Sequence, residues 1–384
     1  MKQFRIAEQT NPERRRFLEI CGRYGFTTAV LGSIGGYLWS DDAIAQTAAD
    51  EEAKQKAAKS TMLFATEYKN EDWSHLPIPQ SQFKSNLEAS SKNAIYVKLH
   101  PAGQLGIGAA LAQKIQGGTV QGGAVSLSNF SPYAPAVDLI NIPFWCGENQ
   151  KFANLVTSRA WNDEITPKVT QRGYQPIFYF TMDSRTISSR KGFRPVKVPS
   201  DMQGMKMRVP PSQLLQTFYR LAGANPTVVP WGETATAMKQ GVADGLDPAI
   251  APLFTFGFTD ILGHLTVVRS VSDAQMFAAN AGWYQALPKD LQTAFDAAAE
   301  RTQQESFAQI EKARAVSIAE FKKAGAQFYA VNASEYKQWV EACGEPRKEW
   351  EEFKVKFAGS VANFEKLKAA ANTKGPITVS EFTG

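Results

Sequence analysis

One run in the last third of the chain limits the possible folds more than any other feature. From Pro288 to Ala326 the sequence reads PKDLQTAFDAAAERTQQESFAQIEKARAVSIAEFKKAGA, with proline at a permitted helix start and Gly325 near the stop. Leu291, Phe295 and Ala299 form one apolar stripe, and Phe307, Ile310, Ile318 and Phe321 continue an apolar surface further along. Nearly forty residues rising about 1.5 Å each make a rod of roughly 60 Å, longer than one small α/β domain is wide. The run is read as a single helix packed across two domains; two helices broken near Glu305 are the alternative.

Upstream, short strand-like and helix-like segments alternate. TMLFATEY, AIYVKLH, GGAVSLSNF, PIFYFTM, MKMRVPP and NPTVVPW read as strands, with PAVDLINIPF as a crossover. Between them, QSQFKSNLEASS (Phe83 and Leu87 on one face), GAALAQKIQGG, SQLLQTFYRLAG and TATAMKQGVADG read as helices, several closed by glycine. This alternation predicts βαβ units and a largely parallel sheet. The glycines of GQLGIG (Gly103 to Gly108) are out of order for a dinucleotide loop and are read as a tight turn into the helix at Ala109. No period of 20 to 50 residues repeats, so a solenoid is not expected.

The N-terminus belongs to no domain. PERRRFLE is followed by the Gly-rich apolar run FTTAVLGSIGGYLW and a small-residue site, Ala43-Ile44-Ala45. The pattern resembles a bacterial twin-arginine signal, with Arg14, Arg15, Phe17 and Leu18 at the pattern positions and Glu19 where lysine is common. The apolar run is short of the roughly 20 residues that a membrane-spanning anchor needs. The expectation is cleavage near Gln46, export by the machinery that reads such signals, and a periplasmic mature protein. Cys21 would leave with the signal; Cys146 and Cys343 would stay, either paired or as separate buried thiols.

Composition narrows the function. With 43% hydrophobic and 21% charged residues and a formal charge of +5, the chain is ordinary globular protein with no concentrated basic character. The basic run SRTISSRKGFRPVK (Ser184 to Lys197) lacks interleaved aromatics in number and is read as a solvated face rather than a nucleic-acid surface. Three histidines, His75, His100 and His264, have no acidic or sulfur partner at metal-ligand spacing, and neither a nucleophile elbow nor a phosphate loop is present. No cofactor, metal or catalytic residue is expected.

One charge stands out. In GMKMRVPPSQ, Met205, Met207 and Val209 alternate with Lys206 and Arg208 before Pro210-Pro211 ends the strand. Arg208 either lies on a solvated strand face or waits at a strand end for an anion.

The surrounding stretch, Asp201 to Pro248, resembles the signature region of solute-binding proteins of tripartite ATP-independent periplasmic (TRAP) transporters, the family of the C4-dicarboxylate-binding proteins. The matching pieces are GMKMRVPPS, LAGANPTVVP, GETATAMKQGVADG and LDP, with HPAGQLG, IQGGTVQGGAVS and DLINIPF before them and NAGWYQALPKDLQ after them. The resemblance covers about Leu63 to Ala326. It implies an α/β clamshell of two lobes, joined by crossing strands and a long helix, that closes on an organic anion and hands it to the membrane subunits of the transporter.

The family's carboxylate-pairing arginine falls on Arg208. A guanidinium meets a carboxylate through two parallel hydrogen bonds and stays charged at any working pH. Arg185 falls near the family's second arginine. Asp247 occupies a position where relatives commonly carry Asn or Glu; as Asp it would meet a hydroxyl, an ammonium or a cation. Ser128 and Asn129, with Ser126, end a first-lobe strand, Glu67 and Tyr68 end the first strand, and Trp231 and Trp73 would wall the cleft. The implied division is 1–45 signal, 46–60 polar lead-in, 61–181 with about 268–326 as lobe I and the long helix, and 182–267 with about 327–384 as lobe II and a helical tail. A ligand-binding component of a chemotaxis or other sensory system, and an exported α/β enzyme using the same cleft, are the rival functions.

Overall fold

The computed structural model describes residues 41–382. The twin-arginine pattern at Arg14, Arg15, Phe17 and Leu18 lies outside the described residues. The first described element, helix α1 (Asp41–Ala57), includes the backbone of the expected cleavage site.

Three parallel strands open the fold: β1 (Ser60–Thr66) pairs with β2 (Ile95–His100) on one side and β3 (Gly122–Ser126) on the other. Helix α2 (Gln80–Ser90) crosses between β1 and β2 and buries Phe83 and Leu87, the pair that the four-residue spacing places on one face. Helix α3 (Gly108–Gln116) crosses between β2 and β3. Gly103, Gly106 and Gly108 all have positive φ, so GQLGIG is a turn into this helix. The strand reading of GGAVSLSNF holds only to Ser126; Leu127–Phe130 form a single helical turn, since the chain leaves the sheet there.

A second parallel set follows helix α4 (Asn149–Val156) and the long strand β4 (Tyr174–Arg190). It comprises β5 (Lys206–Val209), helix α5 (Gln213–Leu221), β6 (Asn225–Val228), helix α6 (Trp231–Lys239) and β7 (Gly245–Leu246). β5 is the middle strand, parallel to β6 and β7. After the short helix α7 (Ile250–Thr255) comes β8 (Leu262–Asn280), which runs antiparallel to β4 along nearly its whole length.

The two long strands tie the two sets into one sheet of order β2-β1-β3-β8-β4-β7-β5-β6. β3 pairs with β8 at Gln275 to Ala279, and β7 pairs with β4 at Ser188 and Ser189. Between these attachments the β4–β8 register shifts at Thr181/Ser184 and Ser184/Thr186. Asp183 (φ 122°) and Arg269 (φ 56°) lie in this interval, two non-glycine residues in a backbone region that L side chains rarely adopt. A bulged crossing of this kind lets a sheet bend. The sheet is therefore parallel within each set and antiparallel where the sets join, a mixture that the βαβ reading understated.

Helix α8 (Lys289–Lys323) is one unbroken helix of 35 residues, roughly 52 Å long. Leu291, Phe295, Ala299, Phe307, Ile310 and Phe321 are buried along it. Strand β9 (Gln327–Ala330) then adds to β8 in parallel. Helices α9 (Ala333–Cys343), α10 (Glu351–Ala358) and α11 (Val361–Ala371) complete the chain, docked through buried Trp339, Trp350, Phe357 and Phe364. Cys146 and Cys343 are both buried and free, so the question left open at the sequence level resolves to two separate thiols.

A buried polar node holds the bulged crossing. Asp183 Oδ2 accepts from Arg314 Nε of α8 at 2.5 Å, and Oδ1 accepts from Asn149 Nδ2 of α4 at 2.8 Å. The remaining guanidinium nitrogens of Arg314 donate to the carbonyls of Glu381 (2.7 Å) and Ser380 (3.0 Å) in the C-terminal segment. Every charged group in the node has a partner, the condition under which a buried ion pair is tolerated.

A candidate carboxylate-binding cleft

Where the strand ends of the two sets face each other, a half-open cavity forms. Seven of the residues singled out in the sequence line it: Glu67, Tyr68, Ser126, Asn129, Arg185, Arg208 and Trp231. Each is placed by the element that carries it. Glu67 and Tyr68 follow β1, Asn129 lies in the helical turn after β3, Arg185 is on the crossing strand β4, Arg208 is on β5, and Trp231 begins α6.

β5 is buried from Met207 onward, while Lys206 at its start is exposed. Arg208 is 3% exposed, which removes the solvated-face reading. Its Nε donates to the Val229 carbonyl at 3.0 Å, and its guanidinium carbon sits 5.3 Å from the centre of the Trp231 ring, a cation–π contact. Trp231 is in turn stacked on Phe258 with ring centres 5.5 Å apart. No carboxylate oxygen of the described residues comes within 4.0 Å of this guanidinium. Burial pulls its pKa down to about 10, only partly opposed by Asp247.

Arg185 is also buried but fully countered. Its guanidinium pairs with Asp247 Oδ1 at 3.0 Å and Asp273 Oδ1 at 2.9 Å. Burial works against its charge, but Asp273 and Asp247 outweigh that and raise its pKa. Asp247 accepts a further hydrogen bond from the Tyr219 hydroxyl at 3.2 Å, and Asp273 accepts one from the Ala249 N–H at 2.9 Å. Asp273 itself is pushed above the usual carboxylate range by burial, with Arg185 opposing.

Glu67 lies at the N-terminus of α3, where Oε2 accepts from the Gly108 N–H at 3.2 Å. Helix starts favour a negative charge, yet burial dominates here and pushes the Glu67 carboxyl up to about 7. Gly108 has a φ of 53°, a conformation that L side chains rarely adopt, so glycine keeps the turn beside Asn129. Ser126 Oγ and Arg185 Nε are buried without a hydrogen-bond partner, two polar atoms left over at the cavity wall.

Three of the singled-out residues are placed elsewhere. Asp247 and Ser128 stand behind Arg185: Asp247 pairs with it, and Ser128 Oγ accepts from its Nη2 at 3.4 Å and from Asn141 Nδ2 at 3.1 Å. They hold the arginine rather than face the cavity, because the Arg185 guanidinium takes up their polar atoms. Trp73 lies on a 3-10 turn (Asn70–Ser74) away from the cavity, where its carbonyl accepts from Gln309 of α8 at 2.6 Å. Its position after the first strand suggested a wall; the turn carries it to the long helix instead.

Asp273 and Gln275, both on β8 and both lining the cavity, were missed by the sequence reading. The signal was available. Within SVSDAQMFAAN an acid and an amide interrupt an apolar strand, the same anomaly that marks Arg208. Buried on both faces, the segment lacks the alternation that marks a strand, so the anomaly has no background to stand against.

The fold has known counterparts. The model of the bacterial extracellular solute-binding protein family 7 (DctP) matches residues 64–353. The 2,3-diketo-L-gulonate-binding periplasmic protein YiaO of Escherichia coli K12 is 22% identical over 243 residues, 63% of this chain and 73% of that protein. The C4-dicarboxylate-binding periplasmic protein DctP of Rhodobacter capsulatus is 25% identical over 265 residues, 68% of this chain and 78% of that protein. Among solved structures, the sugar acid binding protein of Advenella mimigardefordensis in complex with galactonate superposes with a TM-score of 0.73 at 19% identity, covering 82% of this chain and 98% of that one. A TRAP periplasmic solute-binding protein of Sulfurospirillum deleyianum with bound succinate gives 0.70 at 18% identity, covering 83% and 100%. These likenesses show the two-lobe fold of TRAP solute-binding proteins. With three quarters of its length matched, the chain belongs to the DctP family of bacterial extracellular solute-binding proteins, binding proteins that work outside the cytoplasm.

Proposed function

We propose that this protein captures a small organic carboxylate on Arg208 and delivers it to the membrane subunits of a TRAP-type transporter. The observation that carries the reading is the state of Arg208: buried, held by a carbonyl and an aromatic face, and without an ion pair among the described residues. A lone buried charge is costly, and a carboxylate meeting the guanidinium's free nitrogens offsets that cost.

Capture is a closure, with no bond made or broken. The bend lies at the bulged interval of β4 and β8, dividing residues 61–181 with about 268–326 from 182–267 with β9 and α9; the expected placement of the whole tail with the second lobe is corrected, since α11 docks on α4 of the first, where Asn154 Nδ2 donates to the Ala371 carbonyl at 3.0 Å. Among the described residues no side chain at the cleft is arranged as a nucleophile with its base, and the family's members are binding proteins, so no catalytic step is assigned. The membrane partner follows from the family. The sensory alternative shares the cleft and differs in its partner.

The test is a thermal-shift series on residues 46–384 with D-galactonate, D-glucuronate, pantoate, orotate and succinate. A true ligand at 100 times its dissociation constant stabilises the folded state by about 2.7 kcal/mol. At least one acid is expected to raise the melting temperature of the wild type and leave the Arg208→Met variant unmoved. Equal shifts in both proteins would remove Arg208 from the site. Co-purification with the transporter's membrane subunits, dependent on the ligand, separates delivery to a permease from delivery to a receptor.

A further inference from the structure

The cleft holds two arginines and three nearby carboxyl groups, and their pairing is unequal. Arg185 is countered twice, by Asp247 and Asp273. Arg208 is therefore the one cavity-lining cation among the described residues with charge to spare for a ligand. The third carboxyl, Glu67, lies on the same wall with a single backbone donor, the Gly108 N–H. Ser126 Oγ, also on the wall, lacks a partner.

These placements bear on what the far end of a bound acid meets. One carboxylate satisfies Arg208. A second carboxylate on the same small molecule would find, among the described residues of the wall, only the Nε of Arg185, whose charge Asp247 and Asp273 already counter, and would approach the carboxyls of Glu67 and Asp273 in a desolvated space. Like charges there repel strongly, because little water remains to screen them. A hydroxyl or an ammonium at the same point would instead donate to carboxyl oxygens that have acceptor capacity left, and such charge-assisted bonds are the stronger kind.

We infer that the cleft selects a monocarboxylate whose distal part donates hydrogen bonds, as a polyhydroxy acid or an amino-acid-like zwitterion does, and discriminates against dicarboxylates of similar length. This inference rests on the proposed carboxylate capture by Arg208 and narrows it. Glu67 is the residue that reads the distal part. Because Glu67 titrates near neutrality, the distinction is sharpest at pH 8, where its carboxylate form prevails.

The experiment is isothermal titration at pH 8 of the wild type, Glu67→Gln and Arg208→Met, with D-galactonate and D-glucuronate as hydroxylated monocarboxylates, L-proline as a zwitterion, and succinate and L-malate as dicarboxylates. The wild type is expected to bind a hydroxylated acid or the zwitterion at least 30-fold more tightly than either dicarboxylate. Glu67→Gln is expected to narrow that gap, chiefly by tightening the dicarboxylates. If the tightest acid is a zwitterion, Glu67→Gln also weakens it by 10-fold or more. If it is a hydroxylated acid, the loss is only a few-fold, since an amide oxygen still accepts. Dicarboxylate binding equal to or tighter than that of the donor-bearing acids, still lost in Arg208→Met, would overturn this inference and leave carboxylate capture standing. Binding of any acid undiminished in Arg208→Met would overturn both.

Discussion

The cleft and the bulged crossing each bury an arginine, and the two are finished differently. At the crossing, Arg314 has all its guanidinium directions used: Asp183 on one side, two carbonyls of the C-terminal segment on the other. In the cleft, Arg208 has one carbonyl and one aromatic face, with no carboxylate of the described residues in reach. A completed charge holds structure; an incomplete one in a cavity is a demand for a partner. Arg185 stands between the two cases, lining the cavity but countered by two aspartates, so it shapes the wall and lends less net charge to a ligand.

The contrast breaks most sharply under substitution. Replacing Arg314 by Met strands Asp183 in a buried site and is expected to cost about 3–5 kcal/mol of stability, read by chemical denaturation. The same replacement at Arg208 strands no charge, only the Val229 carbonyl, and removes a lone buried cation. The free protein should then be as stable as the wild type or more so, while ligand affinity falls by about 2–5 kcal/mol, read by calorimetry. If Arg208→Met were the more destabilising of the two, the distinction between structural and functional arginines would fail.

Protonation supplies a test of similar size. Glu67 is met by Gly108 N–H and by the charges of Arg208 and Asp273, with Tyr68 alongside, and burial raises its pKa in the fold to about 7 from 4.5. Its proton is thus held more tightly folded than unfolded. Its contribution favours the fold fully below the unfolded value and is lost as pH rises from 4.5 to about 7, a change on the order of 3 kcal/mol at about 1.4 kcal/mol per unit. Glu67→Gln should remove that slope from a stability–pH profile, and a profile unchanged by the substitution would show that the carboxyl is not buried as described.

The smallest effect concerns the aromatic face. Trp231→Leu keeps an apolar wall but removes the ring under Arg208, and is expected to weaken ligand binding by about 0.5–2 kcal/mol. No loss at all would mean that the ring packs against Phe258 without holding the guanidinium.

Much of this architecture was legible in the residues. The stripe through Leu291, Phe295 and Phe307 specified a helix too long for one lobe, since a 3.6-residue period is a local property. Arg208 was legible as well, because a charge that interrupts an alternating strand is visible against the pattern. β4 was read only from Pro176 to Met182, and β8 was not read, because strands that cross between two lobes are buried on both faces and lose the alternation that marks a strand. With β8 went Asp273 and Gln275, and with them the counter-charge on Arg185.

What the sequence determined by itself was most of the local elements, the family and the presence of an arginine set inside an alternating strand. Period, turn residues and ordered motifs are all carried along the chain. Tertiary structure alone decided which charges cancel. Arg185 meets Asp247 across 62 residues of sequence, while Asp273 comes to it from another strand and Arg208 is left without a carboxylate. Electrostatics in a buried cleft depends on distances of a few ångströms, and no spacing along the chain encodes them.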